Sequence, residues 1–522
     1  MLISRAHRKV VLNLKSPERV TTVIPTAKVI QYKGRPLVAV PHRHAEVKIL
    51  RNLGFKVPSP VRYYYEWPSR FPTRFAHQET TTDFLTSHRR AFCLNDMGTM
   101  KTLSTLWAYD FLRAQGVVQR MLVLSPLSTL ERTWGDEIFR NFPHLNFHVL
   151  HADRAKRLKM LADTDVDIYI INHDGIKLVM QDLATRPDIN LIVVDECASF
   201  RNASTDRWKA LNAVLNKQLK GMRWGWGLTG TPVPNSPTDA WAQCRLFVPE
   251  NVPEYFGRFR EATMRQVTQF KWVARDNALD VVHQAMQPSI RYAREDCVDL
   301  PPTIYETRHV DLSREQDAMY KVMVAKMRAE YAGGTILAAN EAVKANKLVQ
   351  IACGVAYDTE GNEVCIPADN RVAVVKEIID QAAGKVIVFV PLTGALNHVA
   401  EALRKDGVSV AVIHGGTPKN ERDTIFREFQ QEATPRVIVA QPGTMSHGLT
   451  LTAANTVVWF APVTSNETFQ QAIARVTRPG QKLHQLIVMI EGTEIERRIY
   501  KRLEDKTSVQ STLLDMLKEG AM

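Results

Sequence analysis

At 522 residues, with 45% hydrophobic and 23% charged content, the chain is long enough to bury several cores, which excludes a disordered, fibrous or small disulfide-stapled protein. No run approaches about 18 consecutive apolar residues, as a membrane-spanning helix requires. The formal charge of +12 is local: the first 75 residues hold 15 Lys or Arg against Glu18, Glu46 and Glu66, and the remainder is neutral. A basic footprint confined to one terminal segment fits a polyanionic partner, nucleic acid first, or a solvated basic face.

Met1 to Lys15 interleaves Arg5, Arg8 and Lys9 with apolar residues, so no secretory signal is expected. The segment reads as a small α/β module: strand-like runs at 9–14, 21–25 and 28–40, the last turning at Lys33-Gly34, then a helical pattern from Ala45 to Leu53 stopped by Gly54. Pro58, Pro60, Pro68 and Pro72 punctuate the chain, placing a boundary near residue 70. Apolar strand-like runs follow at Ala91–Leu94, Met121–Ser125, Asp167–Ile171, Leu191–Val194 and Trp224–Leu228, with helical patterns between them. Residues 236–300 are mostly helical in pattern, and Asp299-Leu-Pro-Pro302 reads as an extended connector. A second series stands at Val386–Val390, Val408–Ile413, Arg436–Ala440, Thr456–Phe460 and Leu486–Ile490. Continuous apolar strands alternating with helices mean parallel sheets covered on both faces. The expected class is α/β, with a basic module (1–70), a first lobe with a helical insertion (71–300) and a second lobe with terminal helices (301–522).

Three constellations carry chemistry. Asp96-Met-Gly98-Thr99-Met100-Lys101-Thr102 lies between a strand and a helical pattern, where backbone N–H groups face an anion, Lys101 meets phosphates and Thr102 reaches magnesium. The strict phosphate-loop pattern fails, because Asn95 and Met100 occupy its two glycine positions, and a chance Lys-Thr at a helix start stays open. Leu191-Ile-Val-Val194 delivers Asp195 and Glu196 to a strand end, where one carboxylate can order magnesium and the other polarise water, or both can be solvated turn residues. Gln471, Arg475 and Arg478 fall at i, i+4 and i+7 and read as one helical face, capped by Thr464 with Glu467 and ended by Pro479-Gly480. Such guanidiniums suit a transferring phosphoryl group, or simply form a basic surface face. Cys93, Cys197, Cys244, Cys297, Cys353 and Cys365 lie far apart with no C-x-x-C pair, so reduced thiols in a cytoplasmic protein and no zinc are expected.

Phe75-Ala-His-Gln78, the Asp96–Thr102 loop, Leu122-Val-Leu-Ser-Pro-Leu127 with Trp134, Asp195-Glu-Cys-Ala-Ser-Phe-Arg-Asn202 and Leu228-Thr-Gly-Thr-Pro232 with Asn235 resemble the first-lobe motifs of Swi/Snf-type ATPases. These form the double-stranded-DNA translocase branch of superfamily-two helicases. Arg291-Tyr-Ala-Arg294 with Leu300-Pro-Pro302, Lys385-Val-Ile-Val-Phe389, Gly415-Gly-Thr417, Arg422, Gly448-Leu-Thr-Leu451, Gln471 through Arg478-Pro-Gly-Gln481 and Thr493-Glu-Ile-Glu496 resemble that family's connector and second lobe. The match covers about residues 74 to 506, leaves the basic module outside, and looks like the compact members found in bacteria and their viruses.

The resemblance implies two RecA-like lobes, ATP with Mg2+, and double-stranded DNA as partner, branched forms included, with no membrane. It implies that Gln78 reads adenine, that Gly98, Thr99, Met100, Lys101 and Thr102 hold phosphate, and that Thr102 and Asp195 hold magnesium. Lys101, Asp195, Glu196, Gln471, Arg475 and Arg478 would be catalytic. Ser125, Ser128, Thr129, Arg201, Asn202, Thr229 to Thr231 and Thr417 would lie on DNA-facing or coupling surfaces. Roles in replication, recombination or repair follow only from the family. Two departures stand out: Met100 replaces a family glycine, and Ala198 stands where many relatives carry His. A strand-separating DNA or RNA helicase, and a DNA-binding scaffold with a decayed ATPase, remain as alternatives.

Overall fold

The computed structural model describes residues 1–69, 74–234, 236–268, 272–294, 296–297, 301–332, 338–357, 363–445, 451–478 and 481–504. It divides into two compact units, one of residues 1–233 with 237–297 and the other of 298–522 with 234–236. The first unit opens with a four-stranded antiparallel sheet in the order Leu2–Ser4, Lys9–Leu12, Arg35–Pro41, Lys28–Tyr32. Val10, Leu12, Val38 and Val40 point to one side and close a small core with Val20, Ile24, Val47, Leu50 and Val57. Lys33 and Gly34 both have positive φ, +48° and +74°, as a two-residue hairpin turn demands.

The strand expected over 21–25 is not there. Glu18–Thr21 is a helical turn, and Ile24 N donates to Val20 O at 2.8 Å. Val20 and Ile24, four apart, share a helical face into the core, and that spacing overrides the β-branched composition. Helix His44–Asn52 is closed by Gly54 at φ +90°. Beyond Val57 the chain packs on the neighbouring lobe. Val61 and Trp67 join its apolar cluster, Trp67 stands edge-on to Trp107 at 5.2 Å, and Trp107 Nε1 donates to Pro68 O at 2.6 Å.

The lobe itself is a seven-stranded parallel sheet in the order Ser289–Ile290, Arg90–Cys93, Trp224–Leu228, Ile189–Asp195, Arg120–Ser125, Ile168–Asn172, Phe147–Val149. Apolar clusters cover both faces, one around Trp107, Trp134 and Trp226, the other around Phe92, Tyr169 and Phe247. The two edge strands escape the sequence pattern, being only three and two residues long. Ser289–Ile290 follows the helices Asp239–Phe247, Phe256–Thr263 and Ala278–Ala285, within the segment read as mostly helical.

The second unit holds a six-stranded parallel sheet in the order Thr303–His309, Gln485–Glu491, Ala454–Trp459, Lys385–Phe389, Val437–Ala440, Val410–Ile413. One cluster built on Val386 to Val390, Trp459 and Phe469 fills it. Its edge strand Thr303–His309 is largely exposed and polar, so no apolar run announces it. Both sheets have the parallel, doubly covered build of RecA-like lobes. Among the described residues no helix is long and apolar enough to cross a membrane.

Candidate nucleotide site

All strands of the first lobe run parallel, so their C-terminal ends share one edge of the sheet, where ligands of such folds bind. Strand Arg90–Cys93 ends there and leads into the Asp96–Met100 loop and helix Lys101–Ala114. Gly98 has φ +86°, and Met100 is left-handed at φ +58°, ψ +42°, as the N-cap of that helix with no side-chain cap. Lys101 Nζ folds across the loop onto Asn95 O at 2.8 Å and Asp96 O at 3.2 Å. Thr99 is buried; its hydroxyl donates to Asp96 O at 2.7 Å and its carbonyl meets His77 Nε2 at 3.0 Å. Gln78 is 2% exposed: its Oε1 accepts from Phe75 N at 3.3 Å, and its amide donates to Met100 Sδ at 3.5 Å. Gln78 and the loop are therefore in direct contact, through the residue that departs from the family pattern.

Strand Ile189–Asp195 reaches the same edge. Asp195 is buried, and its carboxylate accepts from Trp134 Nε1 at 3.0 Å, Ser125 Oγ at 3.2 Å and Glu196 N at 3.1 Å. Burial pushes this carboxyl above the usual range, while Trp134, Lys101 and Ser125 pull it back toward ionisation. Glu196 is left-handed, φ +49°, at the sharp turn after the strand, and its Oε2 accepts from Thr229 Oγ1 at 3.4 Å. Gly230 lets the Thr-Gly-Thr turn approach the phosphate loop: a Cβ there would stand 3.2 Å from Met97 N. His173 Nε2 donates to Asp195 O at 2.8 Å, and its Nδ1 meets Ser199 Oγ at 3.1 Å.

One sheet edge thus gathers Gln78, the loop to Thr102, Asp195, Glu196 and Thr229. Ser125 and Thr129 are buried and bound to each other at 2.6 Å, so they hold the Asp195 carboxylate and offer no surface to DNA. Arg201 and Asn202 are exposed; Asn202 Oδ1 caps the following turn through Ser204 N at 2.9 Å. Sequence reasoning assigned no role to Trp134 or His173. Nothing in their spacing announces that an indole and an imidazole from other segments converge on Asp195.

In the second unit the helical reading of 471–478 needs correction. Helix Asn466–Ile473 stops before Arg475, so Gln471, Arg475 and Arg478 do not share a helical face. Its cap is Ser465, whose hydroxyl accepts from Thr468 N at 3.2 Å, and not Thr464. Glu467 accepts from Gln471 Nε2 at 3.1 Å. Arg475 is buried in the turn after the helix, and Arg478 Nε donates to Ala474 O at 3.0 Å. Thr417 is buried and its hydroxyl accepts from His414 N at 3.0 Å, which closes the Gly-Gly-Thr turn. Asn235, Leu300, Gly448 to Thr450, Pro479, Gly480 and the side chain of Ser128 lie outside the described residues.

The profile of the SNF2-related domain matches residues 77–354, and that of the helicase conserved C-terminal domain matches residues 370–480. Protein p41 of Acyrthosiphon pisum secondary endosymbiont phage 1 is 25% identical over 468 residues, covering 85% of this chain and 98% of its own. An ATP-dependent helicase of Mycoplasma pneumoniae is 24% identical over 432 residues, and the DNA annealing helicase and endonuclease ZRANB3 of Bos taurus is 24% identical over 450. They align with 81% and 82% of this chain, which spans only 40% and 39% of their own length. The Sulfolobus solfataricus SWI2/SNF2 ATPase core solved in complex with dsDNA is 22% identical, with 87% of this chain and 95% of that chain covered and a TM-score of 0.40.

Proposed function

We propose that this chain, which belongs to the SNF2-related domain family and is a helicase-like ATPase, moves along double-stranded DNA driven by ATP hydrolysis. The observation that carries the reading is the single sheet edge where the Lys101 loop, Asp195 and Glu196 meet. Magnesium fits this donor set. Among the described residues no group of three or more His, Cys, Asp or Glu could hold a metal alone, and magnesium habitually combines one or two protein oxygens with substrate phosphates and water. Thr102 and Asp195 would supply those protein oxygens. Bound there, the ion would neutralise charge on the β- and γ-phosphates.

The chain's own groups do the remaining work. The loop N–H groups and the start of helix Lys101–Ala114 receive phosphate, and Lys101 leaves its two carbonyl partners to meet it. Trp134 and Ser125 favour the ionised form of Asp195 against its burial and keep the carboxylate aimed. Glu196, restrained by Thr229, takes the proton of the attacking water. Arg475 and Arg478 are assigned the charge that develops on the transferring phosphoryl group. Double-stranded DNA is supported by the sequence motifs of the translocase branch and by a positive charge confined to the first 75 residues. Backbone contacts of that kind give little sequence preference and strong salt dependence.

The test is ATP hydrolysis by the purified chain with no nucleic acid, duplex DNA, single-stranded DNA or RNA, with Glu196→Gln as the blank. Turnover stimulated most by duplex and lost in the blank is expected. Stimulation by single strands or RNA alone would favour a strand-separating or RNA helicase instead.

A further inference from the structure

We propose that the cavity between the basic module and the first lobe is a second phosphate site, one that holds a phosphodiester of DNA away from the nucleotide edge. The cavity has a volume of about 430 Å³, large enough for a nucleotide-sized group, and its charged lining is His44, Lys48, Arg51, His88, Arg89 and Arg90, with no carboxylate. Asp83, the ion-pair partner of Arg51 at 3.4 Å, is also held by Arg62 at 2.9 Å. Lys48 is exposed and has no ion-pair partner among the described residues; Arg89 Nε is buried without a hydrogen-bond partner, while Arg89 Nη2 and the Arg90 guanidinium donate to the backbone carbonyls of Gly221, Arg223, Leu246 and Leu215. Helix His44–Asn52 also starts here with no side-chain cap, adding its positive end.

The groups that line the cavity are shifted by burial and by one another's positive charge. Burial and the nearby Lys48 and Arg51 push His44 down to about 4. Burial, then Arg51 and Lys48, lower His88, against the Phe84 carbonyl and Asp83. Burial, Arg89 and Arg223 bring Arg90 down to about 10, against the negative charge of Glu250. A phosphate among these groups would oppose the positive charge of Lys48 and Arg51 and shift both imidazoles toward the protonated form. Arg90 begins the strand whose other end feeds the Asp96–Met100 loop, so the cavity lies at the opposite edge of the sheet from the nucleotide. It can therefore hold DNA outside the ATP site.

This inference rests on the reading of the chain as a DNA motor. DNA is chosen over free phosphate because the module holding Lys48 carries nearly the whole positive excess of the chain. The experiment uses the full chain and a labelled short duplex over a salt series, with thermal unfolding as the folding control. Lys48→Glu is expected to weaken duplex binding about tenfold at low salt and to reduce the salt slope by about one. A second variant, Lys28→Gln/Lys33→Gln/Arg35→Gln, alters only the exposed hairpin of the module. If the hairpin variant weakens binding and Lys48→Glu does not, DNA is held elsewhere on the module and the cavity assignment falls. If neither changes duplex affinity, the module does not grip DNA, and the duplex-stimulated hydrolysis above decides separately whether the motor reading survives. Imidazole resonances give an independent reading: duplex should shift His44 and His88 toward the protonated form and leave the exposed His7 in place. Shifts with inorganic phosphate but none with duplex would make this an anion pocket and overturn the DNA assignment.

Discussion

At φ +58°, Met100 holds a backbone conformation that costs a residue with a Cβ about 1–2 kcal/mol relative to glycine. The sequence shows that a methionine stands where the family has glycine. It does not show that the backbone keeps the glycine conformation and that the thioether turns back onto Gln78. Comparing Met100→Gly with Met100→Ala isolates the strain, since both remove the side chain and only alanine retains the penalty. The glycine variant is expected to unfold at higher denaturant, by about 1 kcal/mol; equal stabilities would mean the loop is not held left-handed. Trp134→Phe tests the carboxylate next door. It keeps the ring and deletes the donor to Asp195 Oδ2, so the buried carboxyl loses part of what keeps it ionised and its pKa rises further. Hydrolysis should fall at least about tenfold, the scale of a hydrogen bond to a charged group. The acid limb of the pH–rate profile should move to higher pH, because the active form is the ionised one. An unshifted acid limb would remove Asp195 from that role.

Elements were legible in the sequence where burial is continuous. Trp224–Leu228 stands where its apolar run placed it, and the central strands of both sheets depart from theirs by one or two residues. Of the four edge strands of the two parallel sheets, Val410–Ile413 was legible and the other three were not. Phe147–Val149 and Ser289–Ile290 are too short to show a period, and Thr303–His309 is half polar because one side has no neighbour. The helix carrying Gln471 was read too long for the opposite reason: the i, i+4, i+7 spacing is satisfied by the letters, but the chain turns after Ile473 and buries Arg475 in that turn. The Thr493-Glu-Ile-Glu496 motif has a structural meaning that spacing could not show. Glu496, fully buried on helix Glu494–Glu504, makes two bonds at 2.8 and 3.0 Å to Arg371 on helix Asp369–Gln381, and also accepts from Gly492 N and Thr493 Oγ1. Removing one partner strands a buried charge, so Arg371→Ala should destabilise the second unit by about 3–5 kcal/mol in chemical denaturation. Exposed Lys501 on the same helix, with no ion pair among the described residues, serves as the control, with a change below about 1 kcal/mol expected for its alanine variant. Equal effects of the two would contradict the assignment of Glu496 to the core.

At the scale of the whole molecule, charge and chemistry are separated along the chain. The first 75 residues hold the positive excess, while the neutral remainder carries the nucleotide edge and the arginines of the second unit. That division suits a motor whose grip on a polyanion is independent of its fuel site. It also explains why composition pointed to nucleic acid before any catalytic residue was placed. The candidate site was legible as residue types, Lys101, Asp195 and Glu196 above all. Its supports were not, because Trp134, His173 and Thr229 reach Asp195 and Glu196 from three other segments.

The central claim is movement along intact duplex, and displacement of a third strand from a DNA triplex tests it most directly, since that strand can be removed without separating the duplex beneath. With ATP and magnesium the chain should release the third strand at a rate that grows with ATP concentration, leave the duplex paired, and fail when Glu196→Gln replaces it. ATP hydrolysis stimulated by duplex with no third-strand release, or release accompanied by separation of the duplex, would contradict the account.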